Sequence, residues 1–74
     1  MQLTLYQRED CHLCELALEV LDGCGLSASL ALIDIDADPE LGIELGLRIP
    51  VLERADGERL DWPFAAEAVR EFAS

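Results

Sequence analysis

The spacing of hydrophobic residues changes along the chain, and each change marks a predicted element. Residues 2–6 (QLTLY) alternate between apolar and polar side chains, which predicts a short β-strand. From Cys11 onward the apolar residues recur at helical spacing, and the glycines of DGCG (22–25) end this predicted helix. Residues 28–36 have an unbroken apolar centre, Leu30 to Ile33, which is typical of a strand buried on both faces of a parallel sheet.

The following segment, residues 37–46, carries the signals of a short helix at both of its ends. Asp38 is a favourable N-cap and Pro39 suits the first helical position. Gly46 is a suitable stop, and Gly42 weakens the middle of the helix.

The last part of the chain predicts a hairpin followed by a helix. Residues 49–54 and 58–62 are strand-like and flank the Asp-Gly turn at 55–57. The final helix is predicted over 63–74 with Pro63 at its start. Its apolar residues form one helical stripe: Ala65, Ala68, Val69 and Phe72.

The predicted element order, βαβαββα, defines an α/β fold. Strand and helix alternate first and a hairpin follows, which indicates a four-stranded mixed sheet with helices on both faces. The 74 residues are enough for one small domain, so a single domain over 1–74 is expected.

The charge of the chain excludes several classes of partner. Sixteen Asp and Glu face five Arg and no Lys, giving a net charge of −11. Binding to nucleic acid or to an anionic membrane needs clustered cations, so neither is expected, whereas a basic protein partner is compatible with this charge. The sequence has no membrane-length apolar run and no signal-peptide pattern at its start, and its cysteine count is odd, so a cytoplasmic monomer is expected.

The chemistry of the chain is concentrated in one motif, Cys11-His12-Leu13-Cys14. The motif lies at the start of the predicted helix, where free backbone N–H groups and the helix dipole favour a thiolate. A spacing of three residues places both sulfurs on one helical face. Cys11, the outer residue, is expected to attack a disulfide, and Cys14 is expected to resolve the mixed disulfide.

The charges around the motif act in opposite directions. Glu9, Asp10 and Glu15 oppose a negative sulfur, while Arg8 and the helix terminus favour it. Because exposed charges are screened, the helix terminus should prevail and lower the pKa of Cys11 modestly. His12 could stabilise the thiolate or carry a proton, or it could be an ordinary exposed residue of the first turn.

Metal binding is the competing use of the cysteines. Structural zinc usually takes four ligands, and Cys24 lies ten residues beyond Cys14, about 15 Å along a helix. A metal site within one chain is therefore not expected, whereas an ion or cluster shared between two chains stays open. Cys24 is expected to be a small buried residue near the helix end.

Four short motifs in order give the chain a family resemblance: TLY (4–6), CHLCE (11–15), DID (34–36) and GLRIPVL (46–52). Together they cover nearly the whole chain, which resembles the small bacterial glutaredoxin-like proteins of the thioredoxin-like superfamily. The resemblance implies a thioredoxin-like fold with Cys11 as nucleophile and Cys14 as resolving cysteine.

The resemblance also implies a set of substrate-binding residues. Pro50 would be a cis-proline beside the cysteines, and the backbone of Ile49 would pair with a bound peptide or glutathione. Arg8 falls where many glutaredoxins carry a basic residue that meets a glutathione carboxylate. His12 and Arg48 complete the set, since they occupy the motif and the position of the usual threonine before the cis-proline dipeptide.

The expected function is thiol–disulfide oxidoreductase activity on protein thiols without a resident cofactor. Glutathione is disfavoured as co-substrate because it is anionic, as is this chain, and because RLDWP (59–63) replaces the Gly-Gly turn that holds glutathione in the family. The alternatives are a non-catalytic thioredoxin-fold module that binds a basic partner, and a carrier of a metal or cluster between chains.

Overall fold

The central feature of the fold is a four-stranded sheet flanked by three α-helices. The structure is a computed structural model and describes residues 2–74, so Met1, the first residue of the expected domain, lies outside the described residues. The strands are β1 (Leu3–Gln7), β2 (Leu30–Asp34), β3 (Val51–Arg54) and β4 (Arg59–Asp61). The helices are α1 (His12–Gly23), α2 (Pro39–Leu45) and α3 (Ala66–Ala73), with short 3₁₀ helices at Ser27–Ser29 and Ile35–Ala37.

The strand order confirms the predicted mixed sheet. β1 pairs in parallel with β2 and antiparallel with β3, and β4 pairs antiparallel with β3, giving the order β2-β1-β3-β4. Because the C-terminal ends of β1 and β2 and the start of β3 share one edge, the loops that follow or precede these ends lie close in space. Within residues 2–74, no helix is long and apolar enough to cross a membrane.

Side-chain alternation along β1 and β3 divides the core between the two faces of the sheet. One face carries a cluster that receives α1 and α3, formed by Leu3, Leu5, Ala17, Leu21, Leu52, Phe64 and Val69. The other face carries a smaller cluster that receives α2, formed by Tyr6, Ile35, Leu45 and Val51. Helices therefore cover both faces, as the sequence predicted.

The expectation that β2 is buried on both faces is wrong. β2 lies at the edge of the sheet, with β1 as its neighbour. Leu32 is 53% exposed and Ile33 36% exposed. A continuous apolar run does not report strand order, and an edge strand keeps one side open to solvent.

The helix boundaries follow their local signals at α2 and depart from them at α3. The Asp38 carboxylate accepts the Glu40 backbone N–H at 3.0 Å, and Pro39 opens α2 as predicted. α3 begins at Ala66, not at Pro63, because Trp62 and Pro63 form a bend and Ala65 is extended. Phe64 is buried in this segment and packs against Trp62, with ring centroids 5.0 Å apart. The predicted apolar stripe of α3 is consequently reduced to Val69 and Phe72, since both of its alanines are exposed.

A chain of charged hydrogen bonds joins α2 to the sheet. Tyr6 Oη donates to Glu53 Oε2 at 2.9 Å, and Arg59 Nε donates to the other oxygen of that carboxylate at 2.9 Å. Arg59 also pairs with Glu44 on α2. Burial, followed by the hydrogen bond to the Glu53 carboxylate, raises the pKa of Tyr6 above its usual 10.0.

The Tyr6 phenol provides a direct readout of this network, because it is the single tyrosine of the chain. We expect its pKa to be higher in the folded than in the urea-unfolded protein. The free energy of unfolding gains this contribution below the unfolded pKa and loses it as pH rises through the folded pKa. Phenolate absorbance during alkaline titration measures it. Glu53→Gln should lower the folded pKa, while Glu58→Gln in the same hairpin should not, and equal effects of the two variants would contradict this account.

Two leucines at the end of α2 form a matched pair for testing the smaller core cluster. Leu45 is fully buried and Leu47 is fully exposed (105%). Leu45→Ala should lower the free energy of unfolding by about 2–5 kcal/mol because it leaves a cavity. Leu47→Ala should change it by less than about 0.5 kcal/mol. Urea unfolding followed by the fluorescence of Trp62 measures both, and a small loss for Leu45→Ala would show that this cluster contributes little.

Candidate functional site

The two motif cysteines meet at the N-terminus of α1. Cys11 is the N-cap residue, with extended backbone angles (φ −109°, ψ 105°), and its Sγ accepts the Cys14 backbone N–H at 3.2 Å. The Cα atoms of Cys11 and Cys14 are 5.2 Å apart, and the pair forms a disulfide. This Cα separation lies inside the roughly 4.4–6.8 Å range of ordinary disulfides, so the backbone can hold the oxidised pair.

The two sulfurs differ in their access to solvent. Cys11 is half-buried, whereas Cys14 is only 2% exposed. Because its sulfur reaches solvent and accepts a hydrogen bond from the helix, the outer cysteine can react with a thiol or disulfide of another molecule. The inner cysteine is buried, so it can react only with a group that is already bound to the outer cysteine. The burial therefore follows the predicted division into attacking and resolving residues, and the individual roles stay predictions.

The loop between β1 and α1 presents charge on its outer side. Asp10 adopts a positive φ of 55°, a conformation that aspartate tolerates better than most residues, and this turns the chain into the helix. Glu9 and Asp10 are exposed. His12 Nδ1 lies 3.8 Å from Glu15 Oε2, and both side chains are largely exposed, so His12 sits on the solvent side of the first turn.

Arg8, predicted to meet a thiolate or a bound carboxylate, is held by another residue. Its Nε donates to both carboxylate oxygens of Asp36, at 3.0 and 3.1 Å. Asp36 lies just beyond the C-terminal end of β2, next to the end of β1. The guanidinium thus ties two neighbouring loops together, and a substrate anion would have to compete with Asp36 for it.

The loop before β3 is fixed from both sides. The Ile49–Pro50 peptide bond is cis, and Pro50 is buried. The Ile49 N–H donates to the Leu45 carbonyl at 3.0 Å, and the Pro50 carbonyl accepts the Trp62 N–H at 3.2 Å. The backbone of Ile49 was predicted to pair with a substrate, and its N–H is already engaged within the protein.

Arg48 in this loop is also held by a carboxylate. Its Nη2 lies 3.0 Å from Asp61 Oδ1 and its Nε lies 3.3 Å from Asp61 Oδ2. The Asp61 carboxylate raises the pKa of Arg48 above its usual value through these hydrogen bonds. Asp61 faces Val51 across the β3–β4 pairing, so the Arg48–Asp61 ion pair lies at the open end of the hairpin, away from its turn.

The sheet topology brings the loops that carry the predicted site residues to the same end of the sheet, where β1 ends and β3 begins. Tyr6, one residue from the end of β1, faces Val51 at the start of β3. The loop carrying Arg8 and Cys11 therefore leaves the sheet where the loop carrying Arg48 and Pro50 enters it. Asp36 and Asp61 lie at the same edge and were missed by sequence reasoning, because their arginine partners are 28 and 13 residues away.

Cys24 lies apart from the motif. It caps the opposite end of α1, is half-buried against the larger core cluster, and its Sγ lies 3.6 Å from the Ala66 carbonyl oxygen. Over residues 2–74, no three His, Cys, Asp or Glu side chains are grouped so as to hold a metal ion. A surface depression of about 260 Å³ lies elsewhere, against the hairpin turn and the last residue (Arg54, Ala55, Asp56, Ser74).

Similar proteins of known structure share this architecture. The X-ray structure of XcR50 from X. campestris, a Northeast Structural Genomics target, is 45% identical, with 96% of this chain and 93% of that chain aligned and a TM-score of 0.88. The solution structure of XcR50 gives a TM-score of 0.89 over 99% of this chain and 92% of that chain. Ne2328 from Nitrosomonas europaea is 26% identical, covering 96% of this chain and 88% of that chain, with a TM-score of 0.77.

The comparison with family models agrees with these structural similarities and covers nearly the whole sequence. No significant sequence match exists among curated proteins. The family model described as glutaredoxin-like domain (DUF836) matches residues 2–73. With the predicted motifs, the βαβαββα fold and the helix-capping cysteine in place, the chain belongs to the glutaredoxin-like domain (DUF836) family.

Proposed function

We propose that this protein is a thiol–disulfide oxidoreductase that exchanges electrons between its Cys11–Cys14 pair and protein thiols. The observation that carries the proposal is the Cys14 N–H donating to Cys11 Sγ at 3.2 Å, at the N-terminus of α1. A hydrogen bond from a helix N-terminus stabilises negative charge on sulfur, which is what a leaving or attacking thiolate requires. The buried Cys14 lies within bonding reach of Cys11, as resolution requires.

The proposed reaction transfers two electrons in two exchange steps. The Cys11 thiolate attacks one sulfur of a substrate disulfide, forming a mixed disulfide and releasing the other sulfur as a thiolate. Cys14 then loses its proton to solvent and attacks Cys11 Sγ, forming the Cys11–Cys14 disulfide and releasing the second substrate thiolate. The substrate disulfide is reduced to two thiols, and the reverse sequence oxidises them.

The proposed setting is the cytoplasm, where disulfides in proteins are mostly transient and catalytic. No resident cofactor enters the reaction. Ile49, Pro50 and Arg48 would line the approach of the substrate from the β3 side, and Arg8 and His12 would line it from the α1 side. Because the Ile49 N–H is bonded to Leu45, Ile49 could offer a substrate backbone its carbonyl as acceptor without further change.

A second candidate is a non-catalytic module that binds a basic partner. The observation favouring it is the exposure of Leu13 (47%) within the motif and of Leu47 just before Arg48, on a chain of net charge −11. Exposed apolar side chains on a strongly acidic chain suit a cationic protein partner. The candidates separate on turnover with a dithiol donor: the oxidoreductase reduces a substrate disulfide over many turnovers through Cys11 and Cys14, and the module shows no turnover with any donor.

Single-cysteine variants test the assigned roles. Cys14→Ser should trap a mixed disulfide on Cys11 when the reduced protein meets a substrate disulfide, because the resolving thiol is missing. Cys11→Ser should abolish both the adduct and turnover. Cys24→Ser is the matched control and should retain full turnover. Intact-protein mass spectrometry detects the adduct, and an adduct on Cys14 in Cys11→Ser with undiminished turnover would reverse the two roles.

The helix cap should also act on the reduced enzyme. In Cys14→Ser/Cys24→Ser, we expect the pKa of the remaining Cys11 thiol to lie below the roughly 8.5 of free cysteine. The shift should be modest because Glu9, Asp10 and Glu15 oppose the thiolate. Thiolate absorbance during pH titration measures it, and unfolding in urea should remove the difference. A Cys11 pKa above the unfolded value would show that the acids outweigh the helix N-terminus.

A further inference from the structure

Two arginines lie in the loops that meet where β1 ends and β3 begins, and both are paired within the protein. Arg8 precedes Cys11 by three residues, so its Cα lies at most about 11 Å from that of Cys11. Arg48 precedes Pro50 by two residues at the same edge of the sheet. Arg8 is held by Asp36 and Arg48 by Asp61, each guanidinium contacting both oxygens of its carboxylate at 3.0–3.3 Å.

The fold places each aspartate beside its arginine, although the two residues are far apart in the sequence. Asp36 follows β2, whose C-terminal end lies beside that of β1. Asp61 ends β4, opposite the first residue of β3. Each carboxylate is about half exposed, so replacing it with an amide should not disturb the core. With both arginines paired, the other charged side chains near Cys11 in the sequence are the exposed carboxylates of Glu9, Asp10 and Glu15.

We propose that Asp36 and Asp61 are specificity-determining residues, which neutralise Arg8 and Arg48 and thereby direct the cysteine pair towards cationic disulfides and away from anionic ones. The inference rests on the proposed function and names its substrate class. A disulfide flanked by ammonium or guanidinium groups is attracted to this edge, and one flanked by carboxylates is repelled. The exchange steps themselves are those given above, with the released thiolates carrying the same end groups.

Small disulfides of different charge test the preference directly. We would react the reduced protein with cystamine, bis(hydroxyethyl) disulfide and dithiodiglycolate, whose end groups are cationic, neutral and anionic. The rate of forming the Cys11–Cys14 disulfide should fall in that order, after division by each reagent's rate with a free thiol of comparable pKa. The ratio should shrink with added salt, because the Debye length falls from about 30 Å at 0.01 M to about 3 Å at 1 M.

The two aspartates are tested by releasing their arginines. Asp36→Asn and Asp61→Asn should each raise the dithiodiglycolate rate relative to the cystamine rate, by roughly two- to five-fold, the size expected of a surface charge pair. Asp56→Asn is the matched control, since it releases Arg54 at the hairpin turn and should leave the ratio unchanged. Adding Arg8→Gln to Asp36→Asn, or Arg48→Gln to Asp61→Asn, should remove the gain.

The rate ratios are compared only among variants whose circular-dichroism spectra match that of the parent protein, because an unfolded fraction would react with its own charge preference. Equal rates for the three disulfides, a faster reaction with the anionic one, or a ratio that Asp36→Asn and Asp61→Asn leave unchanged would each overturn the inference. In all three cases the proposed oxidoreductase would still stand. If no disulfide of any charge oxidised Cys11 and Cys14, the proposed function itself would be wrong and this inference with it.

Discussion

The antiparallel pairing of β1 with β3 is the constraint on which the rest of the structure depends. It sets Tyr6 against Val51, so that the chain leaving β1 and the chain entering β3 meet at one edge. The same register sends Leu5 and Leu52 to one face of the sheet and Tyr6 and Val51 to the other. Because side chains alternate along a strand, a slip by one residue would exchange the two faces and remove both core clusters. The register that forms the core therefore also brings the loop that carries Cys11 and the loop that carries Pro50 to the same end of the sheet.

The parts of the fold that the sequence predicted are those with local signals. Asp38, Pro39 and Gly46 identify α2 because an N-cap, a first-turn proline and a C-terminal glycine act within a few residues. The position of β2 at the sheet edge depends on strand order, which the apolar run of residues 30–33 cannot report. The late start of α3 depends on burying Phe64 against Trp62 and the larger core cluster, so a contact outside the helix overrides the proline signal at position 63.

The candidate site divides in the same way. Cys11 and Cys14 can be found from the sequence because their spacing and their place at a helix start are both local. The carboxylates that hold Arg8 and Arg48 could not be found, since each pairing crosses between elements brought together by the sheet. The hydrogen bond from the Ile49 N–H to the Leu45 carbonyl could not be predicted either, because it depends on the path of the chain after α2. Residue types therefore identified the candidate cysteine pair, and only the fold revealed which neighbouring groups already have partners within the protein.

Within residues 2–74, four of the five arginines form ion pairs, so little of the positive charge is left to offset the net charge of −11. Three of these arginines each connect two separate loops or elements: Arg8, Arg48 and Arg59. The few cations of the chain therefore stabilise the fold, and the carboxylates that bind them neutralise their charge. The remaining carboxylates then set the surface potential almost alone. In the proposed reaction the Cys11 thiolate would be stabilised by the N-terminus of α1, where the Cys14 N–H donates to Cys11 Sγ. Under the proposed function, the acids around Cys11 would therefore act twice: they would weaken the stabilisation of the thiolate by the helix N-terminus, and they would favour substrates of opposite charge.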